Sequence, residues 1–166
     1  MATNDDWLDQ VQEDIIDPDL PICDTHHHLW DFREGRVDQR YLMEELQRDL
    51  QSGHNIVSTV FIDCHAMYRA SGPDEMKPVG EVEFVNGMAA MAESGLYGAT
   101  RDAAGVISHA NLTLGSRAKG VLEALTAAAP NRFRGIRHNG AWDADPNIGN
   151  GRGVTGPDLY LDATFR

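Results

Sequence analysis

Residues 55–63, Asn-Ile-Val-Ser-Thr-Val-Phe-Ile-Asp, form the run of sequence that decides the fold class. Its apolar side chains, from Ile56 to Ile62, fall on both faces of an extended chain, and β-branched and aromatic residues of this kind favour strands. Strands that are apolar on both faces occur in parallel sheets covered by helices. The run therefore predicts a buried strand of an α/β protein.

Strand and helix patterns alternate on either side of this run. The predicted strands are residues 22–30, 55–63, 103–110 and 133–138. The predicted helices are residues 40–52, 79–94 and 116–129, the last capped by Ser116, with a further helical start at 157–166. Residues 1–21 form an acidic N-terminal lead-in with a short helix at 5–14. This alternation predicts a parallel sheet covered by helices, and both an open doubly wound sheet and a (β/α)8 barrel fit it.

Composition and charge restrict the kinds of molecule that we expect the chain to bind. The chain has 166 residues, a length that fits one domain, with 14 Lys and Arg against 26 Asp and Glu and a net charge of −12. A surface this acidic repels nucleic-acid phosphates and anionic lipid. No apolar run approaches the roughly 18 residues of a membrane span, and the acidic N-terminus differs from a secretory signal. With only two cysteines, we expect a cytoplasmic protein with a small-molecule substrate and neither nucleic acid nor membrane as a partner.

The densest chemistry lies in residues 24–28, Asp-Thr-His-His-His, at the end of the first predicted strand. Side chains alternate across a strand, so His26 and His28 share one face with Asp24, while His27 points to the other face. Neutral imidazole is a ligand for Zn, Mn or Fe, and α/β folds place their sites at the carboxyl ends of strands. The pattern fits both a metal site and a polar turn that contains three histidines.

Two blocks of sequence resemble a known family. Ile-Cys-Asp-Thr-His-His-His-Leu-Trp-Asp at 22–31, with Phe-Arg-Gly-Ile-Arg-His at 133–138, resembles the amidohydrolase-related metal-dependent hydrolases, and more narrowly their lactone-hydrolase branch. Members of this family are (β/α)8 barrels whose first strand carries a His-x-His metal motif. The resemblance implies a partial TIM barrel over residues 22–166, with about the first four strand–helix units. It also implies a divalent metal ion, Zn or alternatively Mn, at His26 and His28.

The resemblance further implies residues beyond Arg166. The family has two more histidine ligands on strands five and six and an aspartate general base on strand eight. Because a complete barrel takes ~250 residues, we expect the chain to be the N-terminal half of one, an enzyme as a full-length parent and inactive alone.

Three functions follow as alternatives. In the first, metal-activated water cleaves a lactone, or another cyclic ester or amide, of a small carboxylated substrate. In the second, the chain is a catalytically incomplete fragment that associates with other copies through an exposed sheet edge. In the third, it is a metal-independent lactonase whose histidines bind substrate oxygens.

The ends of the other strands supply candidate substrate-binding residues. The guanidinium of Arg137 suits a carboxylate or lactone carbonyl, although pairing with a nearby acid would be a structural role. Alternation predicts that only one of Arg137 and His138 points into the barrel. His109 closes the third strand and lines a pocket in this interpretation. Trp30 forms either an apolar pocket wall or a seal at the rim.

Three further features carry structural interpretations. We expect His65 to be a partly exposed, hydrogen-bonded histidine rather than a pocket residue. We expect Cys64 to be a buried structural thiol, because nothing near it in sequence lowers its pKa. The glycine-rich residues 149–156 lack the Lys and Ser/Thr of a phosphate-binding loop, and we interpret them as a flexible loop that covers a substrate.

Overall fold

The computed structural model describes residues 7, 10, 11, 13–32, 39–151, 154 and 156–166. The described strands are β1 (Ile22–His27), β2 (Ile56–Ile62), β3 (Arg101–His109) and β4 (Phe133–Arg137). The helices between them are α1 (Met43–Leu50), α2 (Pro78–Ala92) and α3 (Ala118–Ala128). Short 3-10 turns occur at Asp74–Met76, Leu112–Arg117 and Leu159–Leu161. The α/β class predicted from the sequence is confirmed.

The four described strands form one parallel sheet in the order β1-β2-β3-β4. Each connection therefore steps to the next strand in the same direction. Because parallel crossovers are right-handed, steps in one direction place their helices on the same face of the sheet. A doubly wound sheet instead reverses direction at a switch point, and these four strands contain no such reversal.

One core joins the helices to the sheet. Phe61 of β2 and Val106 of β3 are fully buried and belong to the same apolar cluster as residues from every helix described between the strands. The helix residues of this cluster are Leu46, Leu50, Val79, Val82, Val85, Ala89, Val121 and Leu125. Because side chains alternate along a strand, Val60 and Ile62 lie on the opposite face, where they are only half-buried.

An irregularity in β1 changes the expected alternation. Asp24 pairs with Thr59 and His27 pairs with Phe61, so three steps along β1 match two steps along β2. Such a bulge adds one residue to a strand and re-aims the side chains beside it. The prediction that Asp24 shares a face with His26 and His28 assumed an unbroken strand, and that assumption is wrong between Asp24 and His27.

Two predicted helix boundaries need correction. Ser116 does not cap a helix, because residues Leu112–Arg117 already form a 3-10 turn in which the Asn111 side chain accepts from the N–H of Thr113. Residues 157–166 form a 3-10 turn at Leu159–Leu161 rather than the start of an α-helix. The short helix predicted at 5–14 falls largely on residues outside the described part of the chain, and residues 13–21 contain neither helix nor strand.

Candidate functional site

The carboxyl ends of the four parallel strands meet at one edge of the sheet, and polar side chains follow each of them. His26 lies near the end of β1 and His28 directly follows that strand, Asp63 and His65 follow β2, His109 ends β3, and Arg137 ends β4 with His138 directly after it. This edge is where parallel α/β proteins place their binding sites. We refer to these seven residues as the strand-end site.

His26 and His28 lie beside each other at the end of β1. Their ring centroids are 5.0 Å apart and the rings are nearly perpendicular. Nδ1 of His28 donates to the carbonyl oxygen of Ile62 at 2.8 Å. A carbonyl oxygen only accepts, so the proton is on Nδ1 and the Nε2 lone pair of His28 is the one that can bind a cation. A backbone carbonyl that fixes the tautomer in this way is usual behind a metal-binding histidine.

His27, between them, has a structural role. It is buried and lies against Phe61, with Nε2 3.0 Å from the Thr59 hydroxyl. That hydroxyl oxygen also accepts from the N–H of Ala103 in β3. Burial lowers the pKa of His27 to about 4, so this imidazole is neutral near pH 7. His27 therefore links three strands from inside the core.

Asp63 holds Arg137 in place. The Arg137 guanidinium donates through Nε to the Asp63 carboxylate and through Nη2 to the Asp63 carbonyl oxygen. Nδ1 of His65 lies 3.3 Å from the second carboxylate oxygen. Burial alone would raise the pKa of Asp63, but the hydrogen bonds from His65 and Arg137 outweigh it and hold the pKa below its ordinary value. Arg137 thus pairs with an acid, while its side chain stays 41% exposed.

His65, His109 and His138 form a row of three imidazoles across the ends of β2, β3 and β4. The centroids of His65 and His109 are 5.6 Å apart, and those of His109 and His138 are 5.4 Å apart. We call this set the histidine row. Arg137 and His138 both have contacts at this edge of the sheet, Arg137 with Asp63 and His138 with the ring of His109. Because β4 ends at Arg137, alternation no longer governs His138.

Backbone contacts give His109 and His138 opposite tautomers. Nδ1 of His109 donates to the carbonyl oxygen of Arg137 at 3.2 Å, so its Nε2 carries a lone pair. Nδ1 of His138 accepts from the N–H of Leu112 at 3.1 Å, so its Nε2 carries the proton. Burial lowers the pKa of both rings, which favours their neutral forms. The pair therefore presents one acceptor and one donor side by side.

A cavity of about 320 Å³ opens between the loops that follow β2 and β3. It is lined by His65, Tyr68, Asp74, Glu75, Pro78, His109, Asn111 and Leu114. His65 was expected to be a hydrogen-bonded surface histidine. It does have polar contacts, to Asp63 and to the Tyr68 hydroxyl at 3.0 Å, but it also lines this cavity.

The remaining predicted residues lie as follows. Trp30 is half-buried and stacks on Tyr41, with ring centroids 5.1 Å apart. Cys64 is half-buried and its thiol donates to the carbonyl oxygen of Leu29, and neither Cys64 nor Cys23 forms a disulfide. In the glycine-rich loop 149–156, the Gly151 N–H donates to the carbonyl oxygen of Ala141, while residues 152, 153 and 155 lie outside the described part.

Within the described ranges, no three His, Cys, Asp or Glu side chains come close enough together to enclose a metal ion. Since a zinc site needs three or more protein ligands, the two imidazoles of β1 fit as part of such a set. None of the helices described is long and apolar enough to cross a membrane.

Comparison with known proteins gives no relative for this chain. No protein-family model, no curated protein and no solved structure matches it.

Sequence reasoning missed two residues of this region. The sequence pattern indicates no role for Asp63 beyond ending a strand, although its position directly after an apolar strand marks the sheet edge. Glu81 was not singled out, because it lies among the apolar residues of a helix. The structure buries it completely, and its carboxylate accepts from the N–H groups of Cys64 and Ala66 in the loop after β2.

Proposed function

We propose that this chain supplies the first half of a metal-dependent hydrolase of the amidohydrolase type, built on a (β/α)8 barrel. Its substrate is a lactone, or another cyclic ester or amide, that carries a carboxylate. Two features support the barrel: the strand order without reversal, and the single helix-covered face of the sheet. The resemblance of residues 22–31 and 133–138 to that family supports the reaction class.

The observation that carries the proposal is the orientation of His28 beside His26. The Ile62 carbonyl fixes the tautomer of His28, and the neighbouring His26 ring is exposed at the same strand end. These two imidazoles would hold a divalent ion together with ligands from elsewhere. When bound, such an ion polarises the ester carbonyl and lowers the pKa of a coordinated water.

Arg137 is the residue that we assign to the substrate carboxylate. Asp63 takes up its Nε and Nη2, which fixes the plane of the guanidinium. Nη1 is then the nitrogen that a carboxylate would meet, on a side chain that is 41% exposed. Because Asp63 orients the guanidinium beforehand, less side-chain entropy is lost when the substrate binds.

His109 and His138 would contact the polar groups of the ring. The Nε2 lone pair of His109 accepts a hydrogen bond from a substrate hydroxyl, and the Nε2–H of His138 donates one to a carbonyl or ring oxygen. Trp30, stacked on Tyr41, closes the apolar side of the rim near β1.

The test is hydrolysis of paired lactones that differ only in a carboxylate, by the zinc-loaded full-length protein of which this chain is the proposed first half. We expect faster turnover of the carboxylated member, loss of turnover in a His26→Ala/His28→Ala variant, and loss of the preference in Arg137→Gln. His54→Ala is the matched control, because His54 is exposed and lies before β2, at the far end of the strand.

Other outcomes would replace the proposal. Turnover that survives complete removal of metal by a chelator would indicate a metal-independent lactonase. Absence of both metal binding and turnover, together with self-association, would indicate a catalytically incomplete fragment that pairs through the exposed edge of its sheet.

A further inference from the structure

Glu81 is a fully buried acid whose carboxylate hydrogen-bonds to the backbone of a single loop. It lies in the first turns of α2 and is 0% exposed. Oε1 accepts from the N–H of Cys64 at 3.0 Å and from the N–H of Ala66 at 2.8 Å. Among the described residues, Oε2 is buried and has no hydrogen-bond partner. An acid is costly to bury in this way, so its presence calls for a role.

The loop that it contacts is the one that presents Asp63 and His65. His65 and Met67 both have positive φ values, 65° and 52°, which side-chain-bearing residues adopt at a cost. A backbone in this conformation persists only where its surroundings hold it. The two hydrogen bonds to Glu81 fall on residues 64 and 66, on either side of His65.

The helix also approaches the loop closely at the preceding residue. A Cβ atom at Gly80 would lie 2.6 Å from the carbonyl oxygen of Met67 and 2.9 Å from the backbone nitrogen of Arg69. Only glycine allows this approach, which brings the Glu81 carboxylate within reach of the loop amides.

We infer that Glu81 is a positioning residue. Its carboxyl group holds the loop after β2 in the conformation in which Asp63 binds Arg137 and His65 contacts His109. In so far as Arg137 meets a substrate, this inference rests on the proposed function. The geometry itself is independent of any reaction, so the two can fail separately.

The protonation state of Glu81 gives a second observable consequence. Burial raises the pKa of Glu81 to about 7, with the N–H groups of Cys64 and Ala66 opposing that shift. Asp63 and His65 are the titratable groups that face it from the loop, and the Cys64 thiol lies beside them. Titration of the Glu81 carboxyl group near neutral pH should therefore shift the signals of these two amides.

The experiment is NMR of the full chain, following the Nε–H of Arg137 and the amides of Cys64 and Ala66. Glu81→Gln keeps an oxygen acceptor and should leave exchange of the Arg137 Nε–H within about twofold of the parent. Glu81→Ala should speed that exchange at least about tenfold. The control is Glu83→Gln on the same helix, which removes an exposed ion pair with Arg69 and should change neither signal.

The pH series keeps the test decisive if Glu81→Ala does not fold. In a His65→Gln background, which removes the imidazole between the two amides, the amides of Cys64 and Ala66 should titrate with a midpoint near pH 7, and adding Glu81→Gln should remove this transition. An identical transition in the double variant His65→Gln/Glu81→Gln, or a folded Glu81→Ala with parental Arg137 exchange, would overturn the inference.

Discussion

Arg137 at the end of β4 hydrogen-bonds to both the carboxylate and the carbonyl oxygen of Asp63 at the end of β2. The two residues are 74 positions apart in sequence, and β3 lies between their strands. One ion pair therefore joins the ends of β2 and β4 across β3. It also fixes the orientation of the Arg137 guanidinium, which faces the strand-end site.

Replacing Asp63 by Ala should destabilise the fold by about 1–3 kcal/mol, because Arg137 and His65 both lose their acceptor. The loss should lie toward the lower end, since the 41% exposed guanidinium can be solvated. Urea unfolding measures it. Asp74→Ala is the control, because that carboxylate is 90% exposed and pairs with Lys77 on the surface. Equal effects of the two substitutions on the free energy of unfolding would show that the ion pair of Asp63 and Arg137 does not stabilise the fold.

Gly80→Ala should destabilise the chain by about 1–3 kcal/mol, because its Cβ would collide with the Met67 carbonyl oxygen. Gly87→Ala on the same helix makes the matched comparison. Nothing lies within 4 Å of a Cβ at Gly87, so this change should stabilise the helix by about 0.5–1 kcal/mol. Thermal unfolding of both variants checks the opposite signs, and stabilisation by both would contradict the close approach of α2 to the loop.

His27 should make stability depend on pH in the acid range. Its folded pKa, about 4, lies below the unfolded value of 6.5, so the unfolded chain binds more protons between them. The stability that the neutral His27 imidazole provides is complete above pH 6.5. It is lost as the pH falls toward 4, and the loss is roughly 3 kcal/mol at most. His27→Gln should flatten the pH dependence of the unfolding free energy in this window relative to the parent. His54→Gln, at an exposed position, should leave the dependence as it is. If His27→Gln retains the parental slope, the imidazole is not held neutral by burial.

Local patterns predicted the elements of the fold because the relevant forces are local. The run from Ile56 to Ile62 is a parallel strand, as predicted, but only Thr59 and Phe61 on the helix-covered face are buried. Strand order was open, since periodicity does not distinguish a barrel-type order from a doubly wound one. The Ser116 cap failed because Asn111, five residues earlier, opens a 3-10 turn with its own side chain.

The site was less predictable, because it depends on contacts between distant residues. Positions at strand ends correctly brought together His109, Arg137 and His138. No local signal indicated that Asp63 would hold Arg137, or that Glu81 would hold the loop between Asp63 and Met67. The bulge in β1 depends on pairing with β2, so strict alternation along β1 alone could not indicate it.

The most direct test of the central claim is a zinc titration, by calorimetry at pH 7.5, of the metal-free full-length protein, in which the second half of the barrel supplies the remaining ligands. The account predicts binding of Zn²⁺ that weakens at least about tenfold in His28→Ala and in His26→Ala, while His54→Ala binds as the parent does. Unchanged zinc affinity in the double variant His26→Ala/His28→Ala, or no zinc binding by the parent, would contradict it.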